Sequence, residues 1–371
     1  MKSTKKLNIV SLFDGISCGQ LAMQKAGFKI NRYVAFETDK YARSITRYNY
    51  PQTEHKGDAN EADFNLYKGF DMVMGGSPCT FWSVAKTNRE VDKSGMGWKL
   101  FMQFIKALQT INPPYYLCEN VASMPASIKE YISEEFGCLP IKINSALVSA
   151  QQRNRLYWTN IGQQNEIPQP EDKQIMLKDI IESDISWVDK AYYQTATYQG
   201  ASFEHTLRAK QRTMIAEPII LRDKSPCLCA TYYKKNVKWL LKKKQHGAIV
   251  THKVPDRIGQ YGKGGQGDRI YSVYGKSVSM TANGGDGAKT GLYKIDLPDG
   301  DYNIRKLTPK EAERCQTIPD DYTANGIDDN GKTVPISNTQ RYKTIGNGWT
   351  VDVISHILKH ISDEVNKCRP H

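Results

Sequence analysis

The chain has 371 residues, of which 39% are hydrophobic and 24% are charged, and its formal net charge is +12. This is the composition of an ordinary globular protein that is long enough for two domains. No stretch approaches the roughly 20 apolar residues of a membrane span, and the basic N-terminus leads into a strand-like segment instead of a cleavable leader. We expect a cytoplasmic protein with no membrane partner. Its eight cysteines lack the spacing of metal ligands, so reduced thiols and no bound metal are expected.

Strand-like and helix-like segments alternate over the first 160 residues. Strands are predicted at Leu7–Phe13, Tyr33–Glu37, Phe70–Met74 and Tyr115–Glu119, and helices at Gly19–Ala26, Tyr41–Tyr48 and Lys99–Ile111. This alternation predicts an α/β fold with an open, mostly parallel sheet and helices on both faces. Ligands of such sheets bind at the carboxyl ends of the strands. One crevice there is expected to gather Asp14, Glu37, Cys79 and Glu119.

The alternation stops after about residue 184, and a glycine-rich, basic segment follows. Residues 186–304 contain 19 Lys or Arg against 10 Asp or Glu, interleaved with tyrosines. We predict a second, smaller, irregular β-rich domain there, and its charge suits a phosphate backbone. A solvated basic surface without a partner explains the charge equally well. Helices resume at Thr308–Thr317, where Thr308, Pro309 and Glu311 form a typical helix start, and at Val351–Val365.

A glycine-containing loop, Phe13-Asp-Gly-Ile-Ser-Cys-Gly19, joins the first strand to the first helix. Gly15 and Gly19 allow a tight turn close to a ligand. Glu37 ends the second strand, where a ribose-binding carboxylate belongs, and Asp58 is placed to meet an adenine amino group. The loop lacks the GxGxxG pattern, and the charge of Asp14 would repel a pyrophosphate. S-adenosylmethionine therefore fits better than a dinucleotide; the alternative is an ordinary turn in which Asp14 caps the helix.

The predicted strand at Met72–Met74 is followed by Gly75-Gly76, Pro78 and Cys79. The glycines and the proline force a turn. A thiol displayed on a loop at the end of a rigid strand is well placed to act as a nucleophile. The alternative is a free cysteine that packs as a small buried hydrophobe.

Several ordered motifs, taken together, resemble the DNA cytosine-5 methyltransferases, especially small single-specificity bacterial or phage-type enzymes. They cover nearly the whole chain and are Phe13–Gly19, Glu37 and Asp58, Gly76-Ser-Pro-Cys79, Glu119-Asn-Val121, Gln151-Gln-Arg-Asn-Arg155, Arg305–Arg314 with Pro319–Tyr322, and Gly346-Asn-Gly348. Two small departures are Thr80, where glutamine is commoner, and Gly348, where many relatives have serine. Neither removes a chemical group that the reaction needs.

The resemblance implies a Rossmann-like methyltransferase sheet formed by residues 1–184 and completed by 335–371, with a target recognition domain at 185–334. It implies transfer of a methyl group from S-adenosylmethionine to carbon 5 of a cytosine flipped out of duplex DNA. Cys79 would attack carbon 6 as a thiolate, with its pKa lowered by Arg155. Glu119 would bind N3 and the exocyclic amine, and Arg153 would assist. The implied cofactor-binding residues are Phe13, Asp14, Gly15, Gly19, Glu37, Thr38, Asp58, Pro78, Leu100 and Asn347.

The segment Gly262–Ser272 resembles a DNA recognition loop of this family. By that resemblance, Gln266 would fill the space of the flipped base, Arg269 would read guanine, and Ser279 and Ser83 would contact the DNA. Lys234-Lys235 and Lys242–Lys244 are interpreted as non-specific phosphate contacts. The alternative is a flexible glycine hairpin with a solvated arginine.

Three activities compete. The first is a DNA methyltransferase that acts on duplex DNA as a monomer, with a role in restriction–modification beside a cognate endonuclease, in protection of a mobile genome or in regulation. The second is a related enzyme acting on tRNA, although such relatives usually have a smaller variable region. The third is a DNA-binding protein without activity; Cys79, Glu119, Arg153 and Arg155, all present, argue against it.

Overall fold

A computed structural model describes residues 6–83, 88–162, 167–182, 277 and 307–361, together with four short strands between residues 257 and 305. Seven strands form the main sheet: β1 (Lys6–Leu12), β2 (Lys29–Phe36), β3 (Glu54–His55), β4 (Met72–Gly75), β5 (Tyr115–Val121), β6 (Ile141–Asn144) and β7 (Asn154–Thr159). Their spatial order is β3-β2-β1-β4-β5-β7-β6. The first five are parallel, whereas β7 runs antiparallel to both β5 and β6. The predicted α/β fold with a mostly parallel sheet is confirmed.

Helices cover both faces of this sheet. They are α1 (Cys18–Ala26), α2 (Lys40–Asn49), α3 (Met96–Ile111), α4 (Ala126–Phe136), α5 (Pro309–Cys315), α6 (Asn338–Asn347) and α7 (Val351–Leu358). Alternate residues of β1 enter opposite cores, because successive side chains of a strand point to opposite faces. Ile9 packs in one cluster, while Val10 and Leu12 pack in the other. Burial on both faces explains why the parallel strands are continuous apolar runs in the sequence.

The C-terminal segment returns to the sheet domain. Helix α5 starts with a capping box, in which Glu311 N donates to Thr308 Oγ1 (3.2 Å) and Thr308 N donates to Glu311 Oε2 (2.8 Å). Helix α7 packs against α1 through fully buried side chains such as Ile354 and Ile357. The helix was predicted to extend over Val351–Val365, but α7 ends at Leu358. The backbone then forms turns in which His360 N donates to Ile357 O and Ile361 N donates to Leu358 O. Residues beyond 361 lie outside the described part of the chain.

A second sheet consists of β8 (Arg257–Gln260), β9 (Arg269–Ser272), β10 (Leu292–Asp296) and β11 (Tyr302–Arg305). Their spatial order is β11-β10-β9-β8. Ser277 joins this region to the main domain, since its N donates to Ala150 O (2.7 Å) and its O accepts from Gln152 N (2.8 Å). The described residues of this segment are therefore β-structured, as predicted.

A hairpin of β12 (Asn325–Ile327) and β13 (Thr333–Pro335) packs on α2. Just before it, Ile318 and Tyr322 are buried in a core of the main sheet, and Tyr322 Oη donates to Ile16 O (2.7 Å). The predicted domain boundary at residue 335 stays a prediction, and this packing favours an earlier return to the catalytic domain. Among the residues that the structure describes, no helix has the length and apolarity needed to cross a membrane.

Candidate active site

The predicted nucleophile, Cys79, lies on the loop that follows β4. It opens a short helical turn, in which Trp82 N (3.1 Å) and Ser83 N (2.9 Å) donate to Cys79 O. The fully buried indole of Trp82 fastens this turn to the core. Gly76 brings the loop against β5, because a Cβ there would lie 2.9 Å from the backbone oxygen of Glu119. The loop is thus held rigidly beside Glu119.

Glu119 lies on β5 and is bound by two donors. Arg155 Nε on β7 is 2.8 Å from Oε1, and the two side chains are only 13% and 12% exposed. The indole Nε1 of Trp349 donates to Oε2 (3.1 Å). The predicted strand Tyr115–Glu119 was two residues too short, since β5 continues to Val121. Glu119 therefore has the rigidity of a residue inside a strand.

The pKa of the Cys79 thiol is raised above its ordinary value, mainly by burial. The positive charge of Arg155 lowers this pKa and the negative charge of Glu119 raises it. The expected lowering by Arg155 is therefore present, but the expectation that the thiol as a whole has a lowered pKa was wrong. Desolvation of a thiolate outweighs the nearby cation. Burial thus disfavours the thiolate form of Cys79 in this structure.

Arg153 precedes β7 and is only 3% exposed. Its Nη2 donates to Gly346 O (3.1 Å) and Gly348 O (2.9 Å). Burial lowers the pKa of Arg153 to about 10. Arg153 also acts electrostatically on Cys79, so both arginines lie near the thiol. Arg153 is therefore buried and binds the closing segment Gly346–Gly348 through backbone oxygens.

The predicted cofactor cradle is built at the carboxyl ends of β1 and β2. Glu37 accepts from Gly15 N (2.8 Å) and Asp39 N (2.7 Å), while burial raises its pKa. Gly15 has φ +60°, and a Cβ there would meet no atom within 4 Å, so the turn leaves open space. Asp14 accepts from Tyr33 Oη (2.6 Å) and also from Ser17 Oγ. Asp14 does not cap α1, because the cap position is Ser17 and no side chain bonds there.

Two other predicted cofactor residues, Thr38 and Asp58, follow the carboxyl ends of β2 and β3. Asp58 follows β3 and accepts from Asn60 N (2.9 Å), and Thr38 is exposed next to Glu37. Carboxylates at the ends of neighbouring strands suit the hydroxyls and amino group of an adenosine and disfavour phosphates. The residues present thus fit S-adenosylmethionine. The remaining residues that were predicted to bind the cofactor differ in exposure. Gly19 is buried, Asn347 is exposed, and the half-buried ones are Phe13, Gly15, Pro78 and Leu100.

The structure describes only part of the predicted DNA-reading set. Arg269 begins β9, is half-buried, and pairs with Gln260 in the ladder. Ser83 is half-buried beside the Cys79 loop. Gln266, Ser279 and the lysine clusters at 234–235 and 242–244 lie outside the described residues.

Sequence reasoning assigned no role to two side chains at this site. Asn120 Nδ2 donates to Ser77 O (3.2 Å) and Ser77 Oγ (3.1 Å), which ties β5 to the nucleophile loop. Trp349, which contacts Glu119, directly follows the closing motif Gly346-Asn-Gly348. That adjacency was the only sequence signal for Trp349, and nothing in the sequence connects it to a strand 230 residues away.

A model of the C-5 cytosine-specific DNA methylase family matches residues 7–363. This chain belongs to that family. It is 24% identical over 381 residues to the type II methyltransferase M.HhaI of Haemophilus parahaemolyticus, covering 98% of this chain and 97% of that protein. It is 23% identical over 439 residues to the orphan methyltransferase M.SPRI of Bacillus phage SPR, covering 96% of this chain and 97% of that protein.

Solved structures show the same fold. The Entamoeba histolytica methyltransferase EhMeth has a TM-score of 0.61 at 14% identity, covering 96% of this chain and 98% of that one. DNMT2 of Spodoptera frugiperda has a TM-score of 0.56 at 19% identity, covering 96% of this chain and 99% of that one.

The predicted family, fold and enzyme class are confirmed. The chain is a DNA cytosine-5-methyltransferase, and the family implies DNA as substrate and S-adenosylmethionine as methyl donor.

Proposed function

We propose that this methyltransferase acts through a covalent bond between Cys79 and carbon 6 of a cytosine that has left the DNA duplex. The observation that carries the proposal is the meeting of Cys79, Glu119 and Arg155 at one edge of the sheet, with an Arg155–Glu119 distance of 2.8 Å and electrostatic coupling of both to the thiol. A cytosine stacked in a duplex is inaccessible to a thiol on such a loop, so the base has to flip out.

The chemistry follows from the weak nucleophilicity of carbon 5. The Cys79 thiol gives up its proton to solvent, and the thiolate adds to carbon 6, which makes carbon 5 electron-rich. Arg155 favours the thiolate by its charge. Glu119 binds the N3 and amino edge of the base and, in its protonated form, stabilises the negative charge that develops on the ring. S-adenosylmethionine supplies the electrophilic methyl group to carbon 5 and leaves as S-adenosylhomocysteine. Loss of the carbon 5 proton to solvent and departure of the Cys79 sulfur from carbon 6 then release 5-methylcytosine.

The cofactor and the DNA are assigned to two regions. Glu37 and Asp58 bind the ribose and the adenine, with Phe13, Asp14, Gly15, Gly19, Thr38, Pro78, Leu100 and Asn347 around them. The basic segment 186–304 binds duplex DNA, where Arg269 reads a guanine and Gln266, Ser279 and Ser83 contact the displaced nucleotide or its surroundings. We further propose a monomer that modifies DNA for restriction–modification or for protection of a mobile genome. The similarity to type II and phage orphan methyltransferases supports this role.

Trapping on a modified duplex tests the proposal. A cytosine carrying fluorine at carbon 5 cannot lose a proton there, so the covalent adduct with the enzyme accumulates. With S-adenosylmethionine present, the wild-type enzyme and a Cys138→Ser control should give a denaturant-stable protein–DNA complex, and Cys79→Ser should give none. Cys138 is a suitable control because it is a half-buried thiol outside any disulfide, and its sulfur forms a hydrogen bond with the hydroxyl of Tyr116 (3.6 Å). A stable complex with Cys79→Ser contradicts the proposal, and trapping on tRNA alone moves the substrate to RNA.

A further inference from the structure

We infer that Trp349 is a positioning residue, which holds the Glu119 carboxylate in its productive orientation through the indole N–H. The inference rests on the proposed role of Glu119 and extends it to a residue on a different part of the chain. Trp349 Nε1 donates to Glu119 Oε2 at 3.1 Å across 230 residues of sequence. The opposite oxygen, Oε1, is held by Arg155 Nε at 2.8 Å.

A donor on each oxygen fixes the plane of the carboxylate, because rotation about the last side-chain torsion would break both hydrogen bonds. Bonds to a charged acceptor are about twice as strong as those between neutral groups. Arg155 has a flexible side chain of its own, whereas an indole ring is rigid and has few rotamers. Trp349 therefore supplies the more rigid of the two constraints on the group that is proposed to bind the base.

The indole is itself fixed by its surroundings. It lies against the nucleophile loop, since a Cβ on Gly76 would come within 3.4 Å of Trp349 Nε1. On another side it approaches the start of α1, where a Cβ on Gly19 would lie 3.7 Å from the ring. The preceding residue, Gly348, is buried and its carbonyl accepts from Arg153. The ring thus stands among the Cys79 loop, Glu119 and the cofactor loop, and glycines leave the space that it needs.

The Trp349 ring can act by filling space or by orienting Glu119, and these two roles predict different kinetics. A ring that only fills space near the cofactor loop would affect cofactor binding, and phenylalanine would replace it well. A ring that orients Glu119 acts through one N–H, which phenylalanine lacks. We expect Trp349→Phe to lower kcat roughly tenfold, with KM for DNA and for S-adenosylmethionine near the wild-type values. Unchanged kcat, or a change confined to KM for the cofactor, overturns the inference.

Trp158→Phe is the matched control. Trp158 is fully buried on β7, and its Nε1 donates to Ser133 Oγ (3.1 Å) on α4 instead of to a site residue. This variant also loses an indole N–H donor in a buried setting. We expect it to lower the melting temperature and to leave kcat near the wild-type value, so a general effect of losing an indole donor is distinguished from an effect on Glu119.

A spectroscopic measurement tests the contact without catalysis. The six tryptophans, labelled with nitrogen-15, give separate indole signals, and the signal absent from Trp349→Phe identifies Trp349. In Glu119→Gln the identified N–H should move upfield, because an amide is a weaker acceptor than a carboxylate. An unmoved signal overturns the inference even if the protein proves inactive on DNA. A moved signal together with no adduct on fluorinated DNA overturns the proposed function and leaves the Trp349–Glu119 contact standing.

Discussion

Arg155 Nε lies 2.8 Å from Glu119 Oε1, and both groups act on the thiol of Cys79 with opposite sign. Burial raises the pKa of the thiol most, Arg155 lowers this pKa and Glu119 raises it. The protonation of the nucleophile is therefore set by a balance between burial and nearby charges, to which Arg153 also contributes. Substrate that engages Glu119 is expected to change this balance, because it alters one of the charged groups that act on the thiol.

Alkylation of Cys79 as a function of pH should report this balance. Since burial raises the pKa of Cys79, half-maximal alkylation by iodoacetamide should occur above the pH typical of a free thiol, about 8.5. Arg155→Gln removes the cation that lowers the pKa, so its midpoint should move to higher pH. Glu119→Gln removes the anion that raises it, so its midpoint should move to lower pH. Peptide mass spectrometry isolates the Cys79 signal, and equal midpoints in all three proteins would refute the account.

Replacing Gly76 should impair catalysis more than folding. The Cβ of Gly76→Ala would lie 2.9 Å from both Glu119 O and Glu119 Oε2, so the carboxylate must shift. A displacement of about 1 Å at a reacting group can cost roughly 100-fold in rate, and we expect kcat to fall by about 10- to 100-fold. Gly331→Ala is the control, because Gly331 has φ +78° and open space in a remote turn. That variant should lose stability and keep kcat. A Gly76→Ala enzyme with wild-type kcat would contradict this geometry.

Glu313 is predicted to be essential for docking the C-terminal segment. It is fully buried and accepts from Asp321 N (2.7 Å), Thr323 N (2.8 Å) and Arg341 Nη2 (3.0 Å). Glu313→Ala leaves two amides without their acceptor and removes the buried carboxylate that pairs with Arg341, whose side chain is 11% exposed. This loss should lower the free energy of unfolding by about 3 kcal/mol. Urea unfolding followed by circular dichroism measures the change.

The control for Glu313→Ala is the same substitution at Glu134, an exposed glutamate. Glu134, whose side chain is 65% exposed, lies 3.8 Å from Lys93 on the surface of α4. Glu134→Ala should change the unfolding free energy by less than about 1 kcal/mol. Equal losses in the two variants would show that the Glu313 network does not stabilise the fold as argued.

Arg269→Ala should relax the sequence preference of methylation. Arginine reads guanine through two parallel hydrogen bonds, and losing such a pair costs about 1–3 kcal/mol of discrimination. We expect methylation at sites that differ from the preferred one at a single guanine. Whole-plasmid methylation mapping compares the patterns, and an identical pattern would remove Arg269 from base reading.

The sequence predicted those parts of the fold that depend on local periodicity. The apolar run at Leu7–Leu12 became β1 because both of its faces are covered, and Thr308 with Glu311 formed the capping box of α5. Element ends were less accurate. Strand β5 continued to Val121 through its pairing with β7, and α7 stopped at Leu358. Tertiary pairing decided the strand end, and local periodicity contains no information about it.

The residues that meet at the site were identified from the sequence, whereas the effect of burial on their electrostatics was not. Motif positions identified Cys79, Glu119 and Arg155, and the structure brings these residues together. The raised pKa of Cys79 depends on burial, which a sequence motif does not contain. The contact of Trp349 with Glu119 likewise depends on how the C-terminal segment packs against the sheet.

Bisulfite sequencing of unmethylated duplex DNA, after incubation with S-adenosylmethionine and either the wild-type protein or Cys79→Ser, tests the central claim most directly. The account predicts protected cytosines within one repeated short sequence for the wild type. It predicts none for Cys79→Ser, even at protein concentrations where a gel shift shows that this variant binds DNA. Protection by Cys79→Ser at the wild-type rate would contradict the covalent mechanism. No protection by a wild-type protein that binds the cofactor would contradict duplex DNA as the substrate.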